Sequence, residues 1–252
     1  MAFMVFMIIY IFLIGIVIGS FLNVCIYRIP LKQDIVKIRS HCMNCGYQLK
    51  WYDLFPLFSF IFLKGRCRKC KTKLSIQYPV IEALNGVLYV LIFVVKGANV
   101  ESLLYCLLCS SLIALSVIDW RTFEIPVGFN IFIAVLGLVR VITDYHNYKD
   151  YLIGCVSVSL FLLILYIVSK GRAIGGGDVK LMAAAGLLLG WKSIVLAFCI
   201  GCVGGAIIHV IRMKVSGAER QLAMGPYLSA GILLAALWGE DIVRWYLSML
   251  GL

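Results

Sequence analysis

Charged residues are scarce in this chain: they make up 14% of its 252 residues, whereas a typical soluble domain has about a quarter. Hydrophobic residues make up 63%, and the mean hydropathy is +1.01. So little charge excludes an ordinary soluble domain. The composition predicts instead a protein whose chain crosses a membrane several times.

Basic residues are absent from the start of the chain, where the first is Arg28, at the end of a long apolar run. A secretory signal peptide has the opposite order, with positive charge ahead of a short apolar core and a cleavage site behind it. The sequence therefore argues against a cleaved signal. We expect an uncleaved first membrane span with its N-terminus outside.

Long polar stretches are also rare, and the only sizeable one is residues 28–78. The rest of the chain divides into apolar runs near the roughly 20 residues that a transmembrane helix needs. We predict an all-α polytopic membrane protein with about eight transmembrane helices: 3–27, 79–96, 101–118, 127–143, 151–169, 178–190, 193–211 and 225–247. As domains we expect a first helix, a small cytoplasmic insert and a seven-helix region: 1–27, 28–78 and 79–252.

The distribution of positive charge predicts the orientation of these spans. With the N-terminus outside, 18 of the 23 Lys and Arg residues fall in segments on the cytoplasmic side. This asymmetry supports eight spans with both termini outside. It also accounts for the net charge of +11 without nucleic acid as a partner, and the lipid bilayer is the expected partner of these charges.

Four cysteines of the insert form two C-x2-C pairs separated by 21 residues: Cys42, Cys45, Cys67 and Cys70. Each pair lets one tight turn aim two thiolates at a single ion, and two such turns complete a tetrahedral zinc site. Because four protein ligands leave no open position, we expect a structural zinc. An insert of this size buries little hydrophobic core, so a bound metal ion would stabilise its fold. The alternatives are a redox pair or plain reduced cysteines.

Two aspartates border the apolar spans, where acidic groups are costly and are functional candidates. Asp119 ends the third predicted span and Asp178 begins the sixth, so the predicted orientation brings both to the cytoplasmic face. Two apposed carboxylates do not readily ionise together, and a pair that shares one proton suits peptide hydrolysis. The alternatives are that Asp178 only caps its helix and that Asp119 pairs with Arg121 or Arg172.

Three glycines, residues 175–177, run directly into Asp178. Without side chains they leave room for an extended substrate backbone to approach the carboxylate. They do not match a phosphate-binding loop, because no Lys-Ser or Lys-Thr follows at the P-loop spacing and no strand is predicted before them. The glycines therefore favour a site for a peptide substrate.

Several motifs occur in order along nearly the whole chain: GSFLNVCIYRIP, the paired C-x2-C insert, YPVIEALNG, the Asp119 segment ending in EIP, GGGDVK and MGPYLSAG. As a set they resemble the bacterial type IV prepilin peptidases, which are intramembrane aspartic proteases of the GxGD type. The resemblance implies that Asp119 and Asp178 are the catalytic pair and that Gly175, Gly177 and Lys180 belong to the active-site motif. It also implies that the four cysteines bind zinc.

The resemblance further implies the reaction. Such enzymes lie in the bacterial cytoplasmic (inner) membrane and remove the basic leader from prepilins and pseudopilins, after a glycine, at the cytoplasmic face. Many then methylate the new N-terminal amine with S-adenosylmethionine, and the cysteine insert favours this bifunctional form. Candidate contacts for the methyl donor are Asn23, Arg28 and Glu82. Glu82 either faces a cation such as the sulfonium or pairs with Arg28 or Lys73.

Two other functions remain open from the residues alone. One is a GxGD membrane protease without methyltransferase activity; enzymes of the presenilin class share GxGD too, but the cysteine insert argues against that class. The other is a proton-coupled transporter that uses Asp119 and Asp178 as a relay. Transporters commonly contain internal repeats with matching broken helices, and we find no such repeat.

Overall fold

The fold is helical, as the sequence predicts. The computed structural model describes residues 2–172, 174–216, 222–249 and 251. No strand occurs in this part of the chain, and its only β-type pairing is two isolated bridges. The helices are α1 (Ala2–Arg28), α2 (Phe58–Phe62), α3 (Gln77–Lys96), α4 (Val100–Thr122), α5 (Val127–Thr143), α6 (Tyr148–Val168), α7 (Gly176–Leu189), α8 (Trp191–Ser216) and α9 (Gly225–Met249).

Each of the eight predicted spans coincides with one helix. The short α2 lies in the insert and corresponds to no predicted span. Among the residues that the structure describes, five helices are long and apolar enough to cross a membrane: α1, α3, α4, α6 and α8. Helix α5 is apolar but has only 17 residues, and α7 has 14. Helix α7 ends early because Gly190, with φ of 80°, turns the chain directly into α8. The structure thus supports several membrane-spanning helices.

The chain divides into two compact units, Met1–Ser102 and Leu103–Leu252. In the first unit, α1 and α3 pack through glycines: a Cβ on Gly15 would lie 2.7 Å from the Cα of Gly86. This contact brings the two backbones together, as small residues do between membrane helices. Asn85 fixes the pair, since its side-chain amide donates a 2.7 Å hydrogen bond to the Gly15 carbonyl.

The insert of the first unit lies between α1 and α3 and has little regular structure apart from α2 and a 3-10 turn, Trp51–Asp53. An ion pair between the half-exposed Arg68 and the buried Asp53 holds its two halves together, because Arg68 donates from Nε to Asp53 Oδ1 at 2.7 Å. Asp53 also accepts a 3.2 Å hydrogen bond from the Lys50 amide. These contacts satisfy a carboxylate whose side chain is 2% exposed.

In the second unit, the short α7 is packed against α5, α6, α8 and α9. Leu181, Met182, Ala185 and Leu188 are fully buried, so α7 is apolar on several sides beyond its first turns, as expected for a central helix. Helix α6 approaches α7 closely at Gly154, where a side chain would overlap the backbone of α7. The residues at the start of α7 are therefore held by several helices at once.

Candidate functional site

The two aspartates are both buried in the second unit. Asp119 lies in the last turn of α4 and is 5% exposed, and Asp178 lies in the first turn of α7 and is 8% exposed. The two carboxylates are near enough for their charges to interact. Helix packing thus brings together the acids that the charge distribution places at one membrane face.

Asp119 is held by the first residue of α9. The Gly225 amide donates a 2.9 Å hydrogen bond to Asp119 Oδ2, and this bond is buried. A Cβ on Gly225 would lie 2.7 Å from the same oxygen, so a side chain has no room there. Sequence reasoning assigned no role to Gly225, although a glycine that directly precedes a proline in MGPYLSAG was an available signal.

Asp178 is not the N-cap of its helix, so that alternative is wrong. Gly175 is the N-cap of α7, in extended conformation, and Asp178 is the third helical residue. The Gly175 amide hydrogen-bonds the Asp178 carboxylate. A Cβ on Gly175 would come within 3.1 Å of Asp178 Oδ2, so the missing side chain leaves this oxygen accessible. Each aspartate therefore accepts one hydrogen bond from a glycine amide.

The other glycines before Asp178 differ in their surroundings. A Cβ on Gly177 would lie 3.0 Å from Ile125, so packing already fills the space beside it. Gly176 has more room, with its nearest neighbour, Tyr166, at ordinary contact distance. Of the three glycines, only Gly175 would thus bring a side chain against the Asp178 carboxylate. Lys180 is exposed on the surface of α7.

Asn130, in the first turns of α5, is a buried polar neighbour of this loop. Its side-chain amide lies 3.4 Å from the Gly177 carbonyl, which accepts the hydrogen bond. Its Oδ1 is buried without a hydrogen-bond partner, and such an oxygen is costly unless a ligand or water satisfies it. Sequence reasoning missed Asn130, for which a polar residue inside an apolar run was the available signal.

The four cysteine sulfurs form a cluster of the size that a metal ion requires. All four Sγ atoms lie within 4.8 Å of one another. Zinc–sulfur bonds of about 2.3 Å in a tetrahedron separate the sulfurs by about 3.8 Å, and Cys42 and Cys70 are 3.8 Å apart. These residues fit a tetrahedral zinc site, and the four sulfurs are positioned to bind a metal ion.

The two halves of the cluster repeat one backbone pattern. In the first, Cys42 donates to the Tyr47 carbonyl and accepts from the Gly46 amide, both at 2.9 Å. In the second, Cys67 donates to the Thr72 carbonyl at 2.9 Å and accepts from the Lys71 amide at 3.0 Å. Both turns need a left-handed residue, which is Gly46 (φ 67°) in one and Lys71 (φ 60°) in the other.

Hydrogen bonds favour the thiolate form that metal binding needs at two of the four cysteines, whereas desolvation and the neighbouring cysteines raise the pKa of Cys45 to about 11. The Thr72 hydroxyl and amide lower the pKa of Cys70 to about 5. The amides of Cys45 and Asn44 lower the pKa of Cys42. Asn44 also links the two halves, since its side-chain amide donates a 2.7 Å hydrogen bond to the Thr72 hydroxyl.

A cavity of about 430 Å³ lies in the first unit, between the insert and the helices α1 and α3. Its size is typical of a small-molecule site. The three candidate methyl-donor contacts, Asn23, Arg28 and Glu82, all line it and are all buried. The structure thus brings these three residues together around one cavity. The mixed polar and apolar lining suits an amphipathic ligand such as a nucleoside derivative.

The polar groups of this cavity are fixed by backbone contacts. Asn23 donates to the Tyr78 carbonyl at 3.1 Å, and Arg28 donates to the Ile38 carbonyl at 2.7 Å. Glu82 accepts a 2.8 Å hydrogen bond from the amide of Leu57. Neither Arg28 nor Lys73 comes within ion-pair distance of Glu82, so the expected alternative pairing is not formed.

Comparison with protein families divides the chain much as the two compact units do. Residues 13–96 match the model of the bacterial peptidase A24 N-terminal domain. Residues 106–210 match the model of the type IV leader peptidase family. The cavity and the cysteine cluster lie in the first match, and both aspartates lie in the second. No solved structure matches the chain.

Curated relatives match the chain along almost its whole length. A protein of Bacillus subtilis (strain 168) named prepilin leader peptidase/N-methyltransferase is 32% identical over 94% of this chain and 97% of its own. Proteins with the same name from Aeromonas salmonicida (strain A449) and Pseudomonas putida are each 30% identical, over 94% of this chain and 93% of their own. The chain therefore belongs to the type IV leader peptidase family, and within it to the prepilin leader peptidase/N-methyltransferases.

Proposed function

We propose that this protein removes the leader peptide from type IV prepilins or pseudopilins with Asp119 and Asp178 as its catalytic pair. The observation that carries the proposal is the geometry of these two carboxylates. They come from different helices, are both buried and interact electrostatically, and each is held by one glycine amide. Family membership supplies the substrate class.

The mechanism follows from two carboxylates that share one proton. The ionised aspartate takes a proton from a water molecule, which attacks the scissile carbonyl, while the protonated aspartate polarises that carbonyl. The roles exchange when the amine leaves. We place Gly175, Gly177 and Lys180 in the active-site motif: Gly175 leaves an oxygen of Asp178 accessible, Gly177 permits the contact with Ile125, and Lys180 is exposed nearby.

We propose that the enzyme lies in the bacterial inner membrane with eight spans and both termini outside. The charge asymmetry supports this topology, as do the eight helices that coincide with the predicted spans, and in it the aspartates are at the cytoplasmic face. A largely apolar pilin helix enters from the bilayer, so its basic leader remains on the cytoplasmic side. In functional terms, residues 28–78 serve methylation and residues 79–252 hold the peptidase pair.

The test is cleavage of a purified prepilin by the full-length protein in detergent. Asp119→Asn and Asp178→Asn should each lower the rate by about 10³-fold or more, because each removes one half of the acid–base pair. Asp241→Asn, a change of the same kind at an exposed position on α9, is the matched control. Full activity of either active-site variant, with helix content unchanged, rules out the pair.

We propose that the first unit then methylates the new N-terminal amine, with S-adenosylmethionine as the donor. The observation that favours this second activity is the cavity lined by Asn23, Arg28 and Glu82, since a peptidase alone does not need it. The match to the N-terminal domain and the names of the relatives support it too. Transfer of labelled methyl to cleaved pilin tests the activity, and its absence would leave a peptidase only.

We assign a structural role to zinc at the four cysteines, whose side chains and neighbours form part of the cavity wall. A transporter is not favoured, because the family matches extend over both units. Proton flux driven by a gradient in proteoliposomes, without prepilin cleavage, is the result that would favour it. We expect cleavage without flux.

A further inference from the structure

Two acidic side chains line the cavity of the first unit, and their electrostatic environments differ. Asp53 forms an ion pair with Arg68 at 2.7 Å, so its charge is neutralised within the protein. Glu82 is 7% exposed and has no cationic side chain within ion-pair distance. Its partners are the Leu57 amide and the Ser20 hydroxyl, which are both neutral. A buried carboxylate in this position lacks a counter-charge.

Three lysine and arginine side chains line the cavity wall, and none lies within ion-pair distance of Glu82: Lys73 is exposed, and the two arginines are engaged elsewhere. Arg28 donates from one terminal nitrogen to the carbonyls of Ile38 and Asp34, at 2.7 and 3.3 Å, and so holds the start of the insert. Arg68 is bound to Asp53. The Glu82 carboxylate is therefore a negative charge in the cavity wall without a cationic partner, and a positively charged ligand would supply that partner.

Asn23, near Glu82, has an acceptor without a hydrogen-bond partner. Asn23 is 4% exposed and lines the same cavity, and its Oδ1 is buried without a hydrogen-bond partner. The two residues are neighbours across the α1–α3 contact. Asn23 bonds the carbonyl of Gly19, and a Cβ on Gly19 would lie 2.8 Å from the Cα of Glu82. A carboxylate and an amide oxygen thus both belong to the wall of this cavity where α1 meets α3.

We propose that Glu82 and Asn23 bind the cationic end of the methyl donor, and that Glu82 makes this site distinguish the sulfonium from the neutral thioether product. This inference rests on the proposed methyltransferase activity. In the transfer, the neutral amine nitrogen bonds the methyl carbon, the electron pair of the C–S bond stays on sulfur, and the amine nitrogen then loses a proton to solvent. The reaction removes the charge that Glu82 attracts, so it favours product release.

The test measures binding and not turnover. Equilibrium dissociation constants of S-adenosylmethionine and S-adenosylhomocysteine, which differ by one methyl group and one positive charge, are measured by calorimetry on the full chain in detergent. The wild-type protein should bind S-adenosylmethionine, which carries the positive charge, more tightly than S-adenosylhomocysteine. Glu82→Gln keeps an oxygen that can accept from the Leu57 amide, so the fold should persist. It should weaken S-adenosylmethionine by about tenfold and S-adenosylhomocysteine by less than about threefold.

Two further variants distinguish the effect of the Glu82 charge from the effect of neutral contacts in the cavity. Asn23→Ala removes a neutral acceptor, so it should weaken both ligands by a similar factor and leave their ratio unchanged. Glu240→Gln, an exposed acid-to-amide change on α9, should alter neither constant. Bound zinc is measured in every variant, to confirm that the insert is folded.

The possible outcomes separate this inference from the function on which it rests. The proposal is supported if Glu82→Gln loses the preference for S-adenosylmethionine while Asn23→Ala and Glu240→Gln keep it. An unchanged ratio in Glu82→Gln overturns it, whether or not both affinities fall, and wild-type methylation would then stand without this role for Glu82. If wild type neither binds S-adenosylmethionine nor methylates pilin, the methyltransferase function itself fails, and this inference fails with it.

Discussion

The two compact units build their sites in different ways. In the first, a polar insert with little regular structure contains two short cysteine turns, whose four sulfurs are positioned to bind one metal ion. In the second, Asp119 and Asp178 are positioned by helices that pack through glycines, and glycine amides hold their carboxylates. The first site thus depends on local turn geometry and a metal, and the second on tertiary packing of helices. Substitutions that disrupt the site of one unit should therefore differ in kind from those that disrupt the site of the other.

Loss of a cysteine ligand should have the largest effect on the first unit. Cys42→Ser removes a buried thiolate, and apparent zinc-binding free energies in small domains are on the order of 10 kcal/mol. We expect the variant to lose bound zinc and also S-adenosylmethionine binding, because Cys42 lines the cavity. Elemental analysis and calorimetry measure the two losses, and helix content should change little.

The matched control for this variant is Cys199→Ser, which alters an exposed cysteine of α8 in the second unit. It should retain one zinc per chain and the affinity for the methyl donor. If Cys42→Ser also kept its zinc, the tetracysteine centre would be wrong, and with it the view that metal binding organises the insert.

A single methyl group should disrupt the second unit's site. In Gly225→Ala the new Cβ would lie 2.7 Å from Asp119 Oδ2, so the carboxylate must move or lose its amide hydrogen bond. A displacement of about 1 Å can lower a catalytic rate by about 10²-fold. We expect prepilin cleavage to fall by about that factor while zinc content stays constant.

Gly204→Ala is the control for Gly225→Ala, since a Cβ at Gly204 in α8 meets no atom within 4 Å. Its cleavage rate should equal that of wild type. Equal rates for both alanine variants would mean that the Gly225 amide does not position Asp119.

The difference between local turn geometry and tertiary packing also explains which features could be predicted from the sequence. The cysteine cluster was predictable because each ligand pair spans two intervening residues, so its geometry is local. The eight helices were predictable because long apolar runs exceed what any loop would contain. The charge bias also predicts that Asp119 and Asp178 reach the same membrane face, because it orders the spans without a three-dimensional structure.

Other features depend on contacts between distant segments and could not be derived in this way. Gly225 acts on Asp119 across more than a hundred residues, and Asn130 reaches the Gly177 carbonyl from another helix. The N-cap of α7 is Gly175 and not Asp178, which was the alternative role considered for that aspartate, because Gly176 and Gly177 already belong to the helix. The shortness of α7 results from Gly190, whose φ of 80° ends it.

The smallest predicted effect concerns the two cysteine turns, which place different residues at the same left-handed position. A Cβ on Gly46 meets no atom within 4 Å, so Gly46→Ala costs only backbone strain, about 1 kcal/mol or about fivefold in zinc affinity. Lys71→Gly relieves such strain while it adds freedom to the unfolded chain, so it should change zinc affinity little. Chelator competition measures both variants.

Gly128→Ala is the control for these turns, because its Cβ also has free space but its backbone is not left-handed. It should leave zinc affinity unchanged. If Gly46→Ala behaved like Gly128→Ala, the left-handed turn would not limit metal binding, and the centre would depend on its sulfurs alone. A loss confined to Gly46→Ala would show that the backbone of the turn contributes to the first unit's site, as helix packing does to the second.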